Sequence, residues 1–457
     1  MEQATLIDRI RTYQLTPTQI LVLGFASLIT VGTILLSLPF AAADGRVIEP
    51  LDALFTATSA ICVTGLITLD TPVDFSLFGQ IVILILFQIG GLGYMTFTTI
   101  MVVVMGKRVG LRERLVIQET FSTFTLGGLV RFIIGIIQFT ILAELIGALL
   151  LTFRFALDHP PVQAFYLGIF HSVSAFNNAG FSLFSSSLVA YQKDWVVNGV
   201  VMTLIILGGL GFLVYHDLLQ RVRKEVFRLS LHTKVVLITS LVLIVGGAAS
   251  FLLFERQNPA TLQPLPLQEQ LLASVFQSVT ARTAGFNTVD IGALTTPTLY
   301  LLVLLMFIGA SPGSTGGGVK TSTFAVMAVA LWSTMRAKED VTLFHRRLSP
   351  LVVAKAFFLA SLAMILVTGV TLALLYSDHQ SLQKTLFEVA SASGTVGLST
   401  GDGGPRSLAA QFGDFGKSVL ILCMILGRIG PVVIGITAMT YVQRSRFRYP
   451  EGKVMIG

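Results

Sequence analysis

Four tripeptides ending in glycine recur along the chain: Val63-Thr64-Gly65, Asn178-Ala179-Gly180, Thr283-Ala284-Gly285 and Thr395-Val396-Gly397. Successive glycines lie 115, 105 and 112 residues apart. The chemistry open to such tripeptides is cation coordination by backbone carbonyls, which can replace an ion's hydration shell without a charged cage. Glycine admits the positive φ that turns successive carbonyls toward one axis at little steric cost. A short helix ending at each tripeptide would add the negative end of its dipole. One chain repeating this unit four times needs no further subunits to build a four-fold axis.

The elements that would position these glycines are legible in the hydrophobic pattern. The glycines close four half-polar segments: LDALFTATSAICVTGL from Leu51, FYLGIFHSVSAFNNAGF from Phe165, LLASVFQSVTARTAGF from Leu271 and LQKTLFEVASASGTVGL from Leu382. Each segment is too short and too polar to cross a membrane, and each lies between two apolar runs. Those runs predict crossings at Thr18–Leu38, Leu77–Met105, Phe132–Phe153, Trp195–Leu219, Lys234–Phe254, Thr298–Met335, Leu351–Tyr376 and Lys417–Tyr441. A segment that enters and leaves by one face is re-entrant, and irregular backbone at membrane depth survives only when buried in protein or lining a wet cavity. Four such segments imply a shared polar centre. The expected fold is therefore all-α: eight transmembrane helices and four re-entrant pore helices, in four tandem helix–pore loop–helix repeats with pseudo-four-fold symmetry around one pore.

Composition fixes the solvent. Of 457 residues, 53% are hydrophobic and 12% charged, about half the charged share of a water-soluble domain. Two cysteines, Cys62 and Cys423, are too few for a disulfide framework and lack metal-ligand spacing. The net charge of +7 does not point to nucleic acid, because the basic residues fall in alternate loops. Lys107, Arg108, Arg112 and Arg114 form one group, Arg221, Arg223, Lys224 and Arg228 a second, Arg336, Lys338, Arg346 and Arg347 a third; Arg444, Arg446 and Arg448 follow the last apolar run. This positive-inside bias places both termini in the cytoplasm.

The fourth tripeptide, in Gly394-Thr395-Val396-Gly397, comes closest to the TVG core of tetrameric potassium channels; only the last glycine is common to all four. With the motifs SAICVTGL, SAFNNAGFS, TARTAGFN and GTVGLST, the chain from about Pro17 to Tyr441 resembles the TrkH/KtrB/HKT superfamily of potassium transporters, most closely its KtrB branch. The resemblance implies that the four tripeptides form a potassium selectivity filter. It also implies potassium as the transported ion, sodium as a candidate activator or co-ion, and no organic cofactor on this chain. The expected partners are a second copy in a homodimer and a cytoplasmic ring of nucleotide-binding, KtrA-like regulatory subunits. The expected location is a bacterial plasma membrane. The corresponding division of the chain is a cytoplasmic segment 1–16, repeats at 17–115, 116–229, 230–347 and 348–442, and a cytoplasmic tail 443–457.

The sixth apolar run is 38 residues long and is interrupted by GASPGSTGGGVKTST. Each glycine there costs about 1 kcal/mol and the proline about 3 relative to alanine in a helix, so the helix must break. In the resembled family this stretch, here 309–321, is an intramembrane gating loop. The gate residues so implied are Gly313, Ser314, Thr315, Gly316, Gly317, Gly318 and Lys320, with Arg428 of the last span holding them. An arginine at membrane depth must face a cavity or carbonyl partners. Lys320 either projects into the inner half of the pore or snorkels to the interface. Glu144, inside an outer span, is either paired or protonated. Arg282 braces the third loop from behind, Asn177 and Asn178 hold the second, and His171 is a packing residue. The glycines of QIGGLGYM and ILGGLGFL serve close helix packing.

Two enzyme-like patterns fail. Gly309-Ala310-Ser311-Pro312-Gly313 spells a nucleophile elbow without strand–turn–helix context or a His/acid pair. Gly313 to Thr321 imitates a phosphate loop, but Val319 stands at the lysine position. The chain is read as no enzyme. A coupled sodium–potassium symporter using the same pore is the alternative to a gated channel. A transporter of two inverted halves does not fit four parallel repeats.

Overall fold

A computed structural model describes residues 17–93, 129–224 and 228–440, with the side chains of 17, 18, 20, 129–131 and 430–440 outside that description. The first basic loop from Lys107 to Arg114, the end of the second span at Met105, Arg444 to Arg448 and both terminal segments (1–16 and 443–457) lie outside the described residues. The protein is built almost wholly of helices. The first repeat holds α1 (Pro17–Leu36), the pore helix α2 (Pro50–Ile61) and α3 (Leu77–Leu92). The second holds α4 (Leu129–Phe155), the pore helix α5 (Pro161–Asn177), α6 (Trp195–Gly209) and α7 (Phe212–Val222). The third holds α8 (Leu231–Glu255), the pore helix α9 (Leu267–Thr280), α10 (Thr296–Phe307) and α11 (Thr321–Met335). The fourth holds α12 (Pro350–Asp378), the pore helix α13 (Leu382–Gly394) and α14 (Asp414–Thr440). A two-residue hairpin pairing Thr342 with Arg347 joins the third repeat to the fourth.

Among the described residues, three helices (Phe132–Phe155, Leu231–Glu255 and Pro350–Asp378) are individually long and apolar enough to cross a membrane. They show apolar side chains to the outside, as lipid requires: Leu142, Leu145, Ile146 and Leu149 on α4, and Leu241, Val242 and Val245 on α8, are exposed. The pore helices invert this. Their C-terminal halves are mostly buried, including Ser59, Ser174, Thr280 and Ser391 near the ends of α2, α5, α9 and α13.

Trp195–Leu219, expected as one crossing, is two helices. α6 and α7 meet at 96°. The physical reason is Gly208-Gly209-Leu210-Gly211: Gly211 adopts φ 93°, and a side chain there would begin 2.5 Å from the carbonyl oxygen of Pro312. The Phe212 N–H, freed by the break, donates to Gly313 O at 2.8 Å. The second glycine tract is thus a hinge as well as a packing surface. The break expected in the sixth run is present between α10 and α11, where Ile308 and Val319 pair as an isolated parallel bridge.

Close helix approach elsewhere rests on glycine without a turn. A Cβ at Gly168 of α5 would stand 2.9 Å from both Ala148 O and Thr152 N on α4. Replacing Gly168 with leucine should cost about 1–3 kcal/mol through overpacking, measurable as a lower thermal midpoint of the detergent-solubilised protein.

Candidate functional site

Each tripeptide follows a pore helix and makes the same two turns. The first residue is left-handed in all four: Val63 at φ 56°, Asn178 at 58°, Thr283 at 76° and Thr395 at 50°. The glycines are left-handed too, at 88°, 74°, 80° and 95° in chain order. Val63, Thr283 and Thr395 are β-branched, and for such residues positive φ is an outlier. It costs on the order of 1–3 kcal/mol at each and persists only where the surroundings over-determine it.

The four loops meet head to tail. Where a side chain would start at Gly65 lies Ala179 O, 2.5 Å away; at Gly180, Ala284 O at 3.1 Å; at Gly285, Val396 O at 2.5 Å. At Gly397 the blocking atom is Thr64 O. Every glycine is therefore covered by the carbonyl of the residue before the next glycine, and the fourth loop returns to the first. Any side chain at these positions would strike backbone. On the side of the residues that follow, the glycines face a cavity of about 770 Å³ also lined by Asp70, Asp290, Lys384 and Arg406.

A hydroxyl from each pore helix braces its own loop, in two different ways. Ser59 Oγ accepts from Gly65 N–H and Ser391 Oγ from Gly397 N–H, both at 3.0 Å. Ser174 and Thr280 instead donate, to Phe181 O at 2.7 Å and Phe286 O at 2.6 Å. Behind the fourth loop, Glu388 accepts from Ser399 Oγ at 2.6 Å and from Ala409 N–H at 3.0 Å. Sequence reasoning missed these braces. The signal was the Ser-Ala or Thr-Ala dipeptide recurring in all four segments, at Ser59, Ser174, Thr280 and Ser391.

Directly against the ring lies the loop between α10 and α11. A methyl on Gly316 would collide with Thr283 Oγ1, and one on Gly317 with Thr395 Oγ1. The loop is tied to α6 and α7 by Thr315 N–H to Gly208 O at 3.2 Å, Ser311 N–H to Gly209 O at 3.0 Å and Phe212 N–H to Gly313 O at 2.8 Å. Thr315 Oγ1 donates to Phe176 O at 3.3 Å, and Ser314 Oγ to Ser311 O at 2.6 Å. Arg428 donates to Thr315 O and, at 2.7 Å, to Gly90 O. The Lys320 Nζ turns back onto its own loop, donating to Gly316 O at 2.7 Å and Gly317 O at 3.4 Å. Gly318, at φ 69°, closes the turn.

The remaining candidates sit behind the ring. Arg282, buried, donates to Ser240 Oγ on α8 at 3.1 Å. Asn177 donates to Glu144 Oε1 at 3.0 Å and to Gln88 Oε1 at 2.6 Å. Asn178 lies 3.3 Å from Thr283 Oγ1. His171 packs between Phe155 and Phe184, its ring nitrogens 2.8 Å from Leu167 O and 3.0 Å from Ser182 Oγ. Among the described residues no group of three His, Cys, Asp or Glu could hold a metal ion.

The chain has known relatives. Residues 8–447 match the family model TrkH, described as a cation transport protein. The chain belongs to the TrkH family. It is 38% identical over 448 residues to the Ktr system potassium uptake protein B of Bacillus subtilis, covering 98% of each chain. It is 40% identical over 444 residues to the protein of the same description from Vibrio alginolyticus, covering 96% of this chain and 94% of that one. It is also 35% identical over 450 residues to the potassium/sodium uptake protein NtpJ of Enterococcus hirae, covering 97% and 98%. In fold it is similar to the crystal structure of the potassium transporter TrkH from Vibrio parahaemolyticus, with a TM-score of 0.70 at 19% identity over 96% of this chain and 87% of that one. The TrkH-family protein is a multi-pass membrane protein of four pore-loop repeats, and its relatives are cation transporters, not enzymes.

The braces on the first and fourth glycines can be tested by removal. Losing one net hydrogen bond is worth about 0.5–1.5 kcal/mol. Ser391→Ala or Ser59→Ala frees a glycine N–H, so either should lower cation discrimination about two- to tenfold, measured as the ratio of uptake of two alkali cations into proteoliposomes.

Proposed function

We propose that the protein takes up potassium through a gated, channel-like pore. The observation that carries this reading is the closed ring in which each of Gly65, Gly180, Gly285 and Gly397 is covered by the next loop's carbonyl. Potassium suits a ring of neutral oxygens because its hydration shell can be exchanged for carbonyls without a fixed charge. The pairs of left-handed residues support the assignment, since backbone strain of this kind clusters where a ligand is held. Thr64 and Thr395 add hydroxyls that are buried and lack a protein partner among the described residues. The names of the curated relatives point the same way.

In this reading the loop 309–321 is the gate, and its position against Thr283 and Thr395 is a closed state. Lys320 caps the carbonyls of Gly316 and Gly317, oxygens that would otherwise face an arriving cation. Arg428 fastens Thr315 to the first repeat. Room for the loop to move exists beside it: an apolar cavity of about 240 Å³ is lined by Gly318, Val319, Leu359, Leu362, Leu366 and Leu426. We also assign the basic loops and both termini to the cytoplasm. A homodimer on a ring of nucleotide-binding regulatory subunits fits with relatives described as parts of a Ktr system.

The second reading, a symporter obligatorily coupled to sodium, is favoured by the relative named for potassium and sodium together. Potassium flux into sodium-free proteoliposomes separates the two. Undiminished flux excludes obligatory coupling; flux that appears only with sodium replaces the channel reading.

Gly65→Ser should lower the potassium-over-sodium preference, because the new side chain meets the Ala179 carbonyl; an unchanged preference would remove the filter assignment. Lys320→Gln, or deletion of Gly313–Gly318, should raise potassium flux several-fold with selectivity largely kept. Loss of flux in either variant, purified as monodisperse protein, would refute the gate.

A further inference from the structure

The four loops are braced in two ways, and the difference points to a residue outside the pore. In the first and fourth loops the glycine N–H is fixed by Ser59 or Ser391. In the second and third, the hydroxyl of Ser174 or Thr280 is spent on the carbonyl after the glycine instead. Gly180 and Gly285 thus have no such clamp, and something else must fix the plane of the carbonyl before each of them.

The residue preceding the first left-handed turn supplies it. That residue is Cys62 in the first loop and Gly394 in the fourth, neither with a polar arm. In the second it is Asn177 and in the third Arg282, and both reach back to the first helix of their own repeat. Arg282 finds Ser240 on α8 at 3.1 Å. Asn177 finds Glu144 on α4 at 3.0 Å. The unclamped loops are the two that carry this brace.

The Glu144 site is the more elaborate. Glu144 lies 15 residues into α4, about 22 Å along a helix rising 1.5 Å per residue, and it is 8% exposed between lipid-facing leucines. Its Oε1 accepts from Asn177 and its Oε2 from Gln88 Nε2 at 3.2 Å. Gln88 Oε1 in turn accepts from Asn177 at 2.6 Å, and Asn177 also donates to Val173 O at 2.9 Å. The Glu144 carbonyl receives Ser172 Oγ at 2.7 Å. No Lys or Arg pairs with it among the described residues. On the other side of Asn177, Gly91 leaves room for it: a Cβ there would stand 2.8 Å from Asn177 Cβ. Asn177 is held by α3, by α4 and by its own helix at the residue before the φ 58° turn of Asn178.

We propose that Glu144 is a specificity-determining positioning residue: through Asn177 it fixes the second loop, as Ser240 fixes the third through Arg282. It acts by hydrogen bonding on the loop rather than by touching the ion. This rests on the filter reading above.

The test measures potassium and sodium uptake into proteoliposomes for the full-length protein and its variants. Glu144→Leu and Ser240→Ala should lower the potassium-over-sodium preference about two- to tenfold, the range set by one hydrogen bond. Potassium flux itself should stay within about twofold, because the gate and the other loops are untouched. Glu144→Gln, which keeps an acceptor for Asn177, should restore most of the preference. If Glu144→Leu does not yield monodisperse protein, Gly91→Ala displaces Asn177 from the other side and should show the same loss. An unchanged preference in Glu144→Leu or Gly91→Ala overturns the proposal. So does an equal loss in Glu144→Gln, which would make charge, not position, the cause. Gly65→Ser separates the two levels: if it too leaves preference unchanged, the filter reading itself fails. If it lowers preference while Glu144→Leu does not, only this inference fails.

Discussion

Backbone that leaves the helix inside a membrane must find every hydrogen-bond partner within the protein, because lipid offers none. The rest of the structure depends on that constraint. Four pore helices stop short of crossing, and each leaves a tripeptide in strained left-handed turns. Ser59 and Ser391 satisfy the glycine N–H of the first and fourth tripeptides, and Ser174 and Thr280 bond the residue that follows the second and third. The packing of each glycine against the next loop's carbonyl makes the four mutually dependent, so one loop cannot be shaped without the others.

The same constraint explains why two transmembrane helices break at one level. Gly309 to Gly318 cannot stay helical, and its freed groups need partners. Gly208 and Gly209, at the end of α6, accept from Thr315 and Ser311, while Gly313 accepts from Phe212 at the start of α7. The bend of the fourth span and the break of the sixth are therefore one construction in two repeats. The loop between α10 and α11 is fastened by a countable set of hydrogen bonds, with Arg428 and Lys320 supplying the charged ones. Hydrogen bonds to charged groups contribute roughly 1.5–3 kcal/mol each, enough to hold the loop in one position.

Pseudo-four-fold symmetry is only approximate at the ring. The glycines and the paired left-handed turns are shared by all four loops. The supports are shared by two and two: serine clamps for the first and fourth, polar arms from Asn177 and Arg282 for the second and third. A single chain can diversify its repeats in this way, whereas four identical subunits cannot.

Much of the architecture was legible in the sequence, because hydrophobic runs and a repeated glycine are local signals. The four recurring glycines, the broken sixth helix and the arginine facing carbonyls were all readable, the last because a charge at membrane depth has few alternatives. The bend at Gly211 was not, since a glycine tract in an apolar run reads equally well as close packing. Nor was the contact of Lys320 with its own loop, since its long side chain could equally reach the pore or the interface. The left-handed state of Val63, Thr283 and Thr395 runs against their residue type. By itself the sequence determined the solvent, the number of repeats and which glycines could approach one another, since these follow from composition and spacing along the chain. Only the tertiary structure decided which carbonyl covers which glycine, which hydroxyl clamps and which arm braces. The glycine–carbonyl contacts join residues a hundred or more positions apart, the clamps and arms depend on the loop shape those contacts set, and the backbone strain has no local cause.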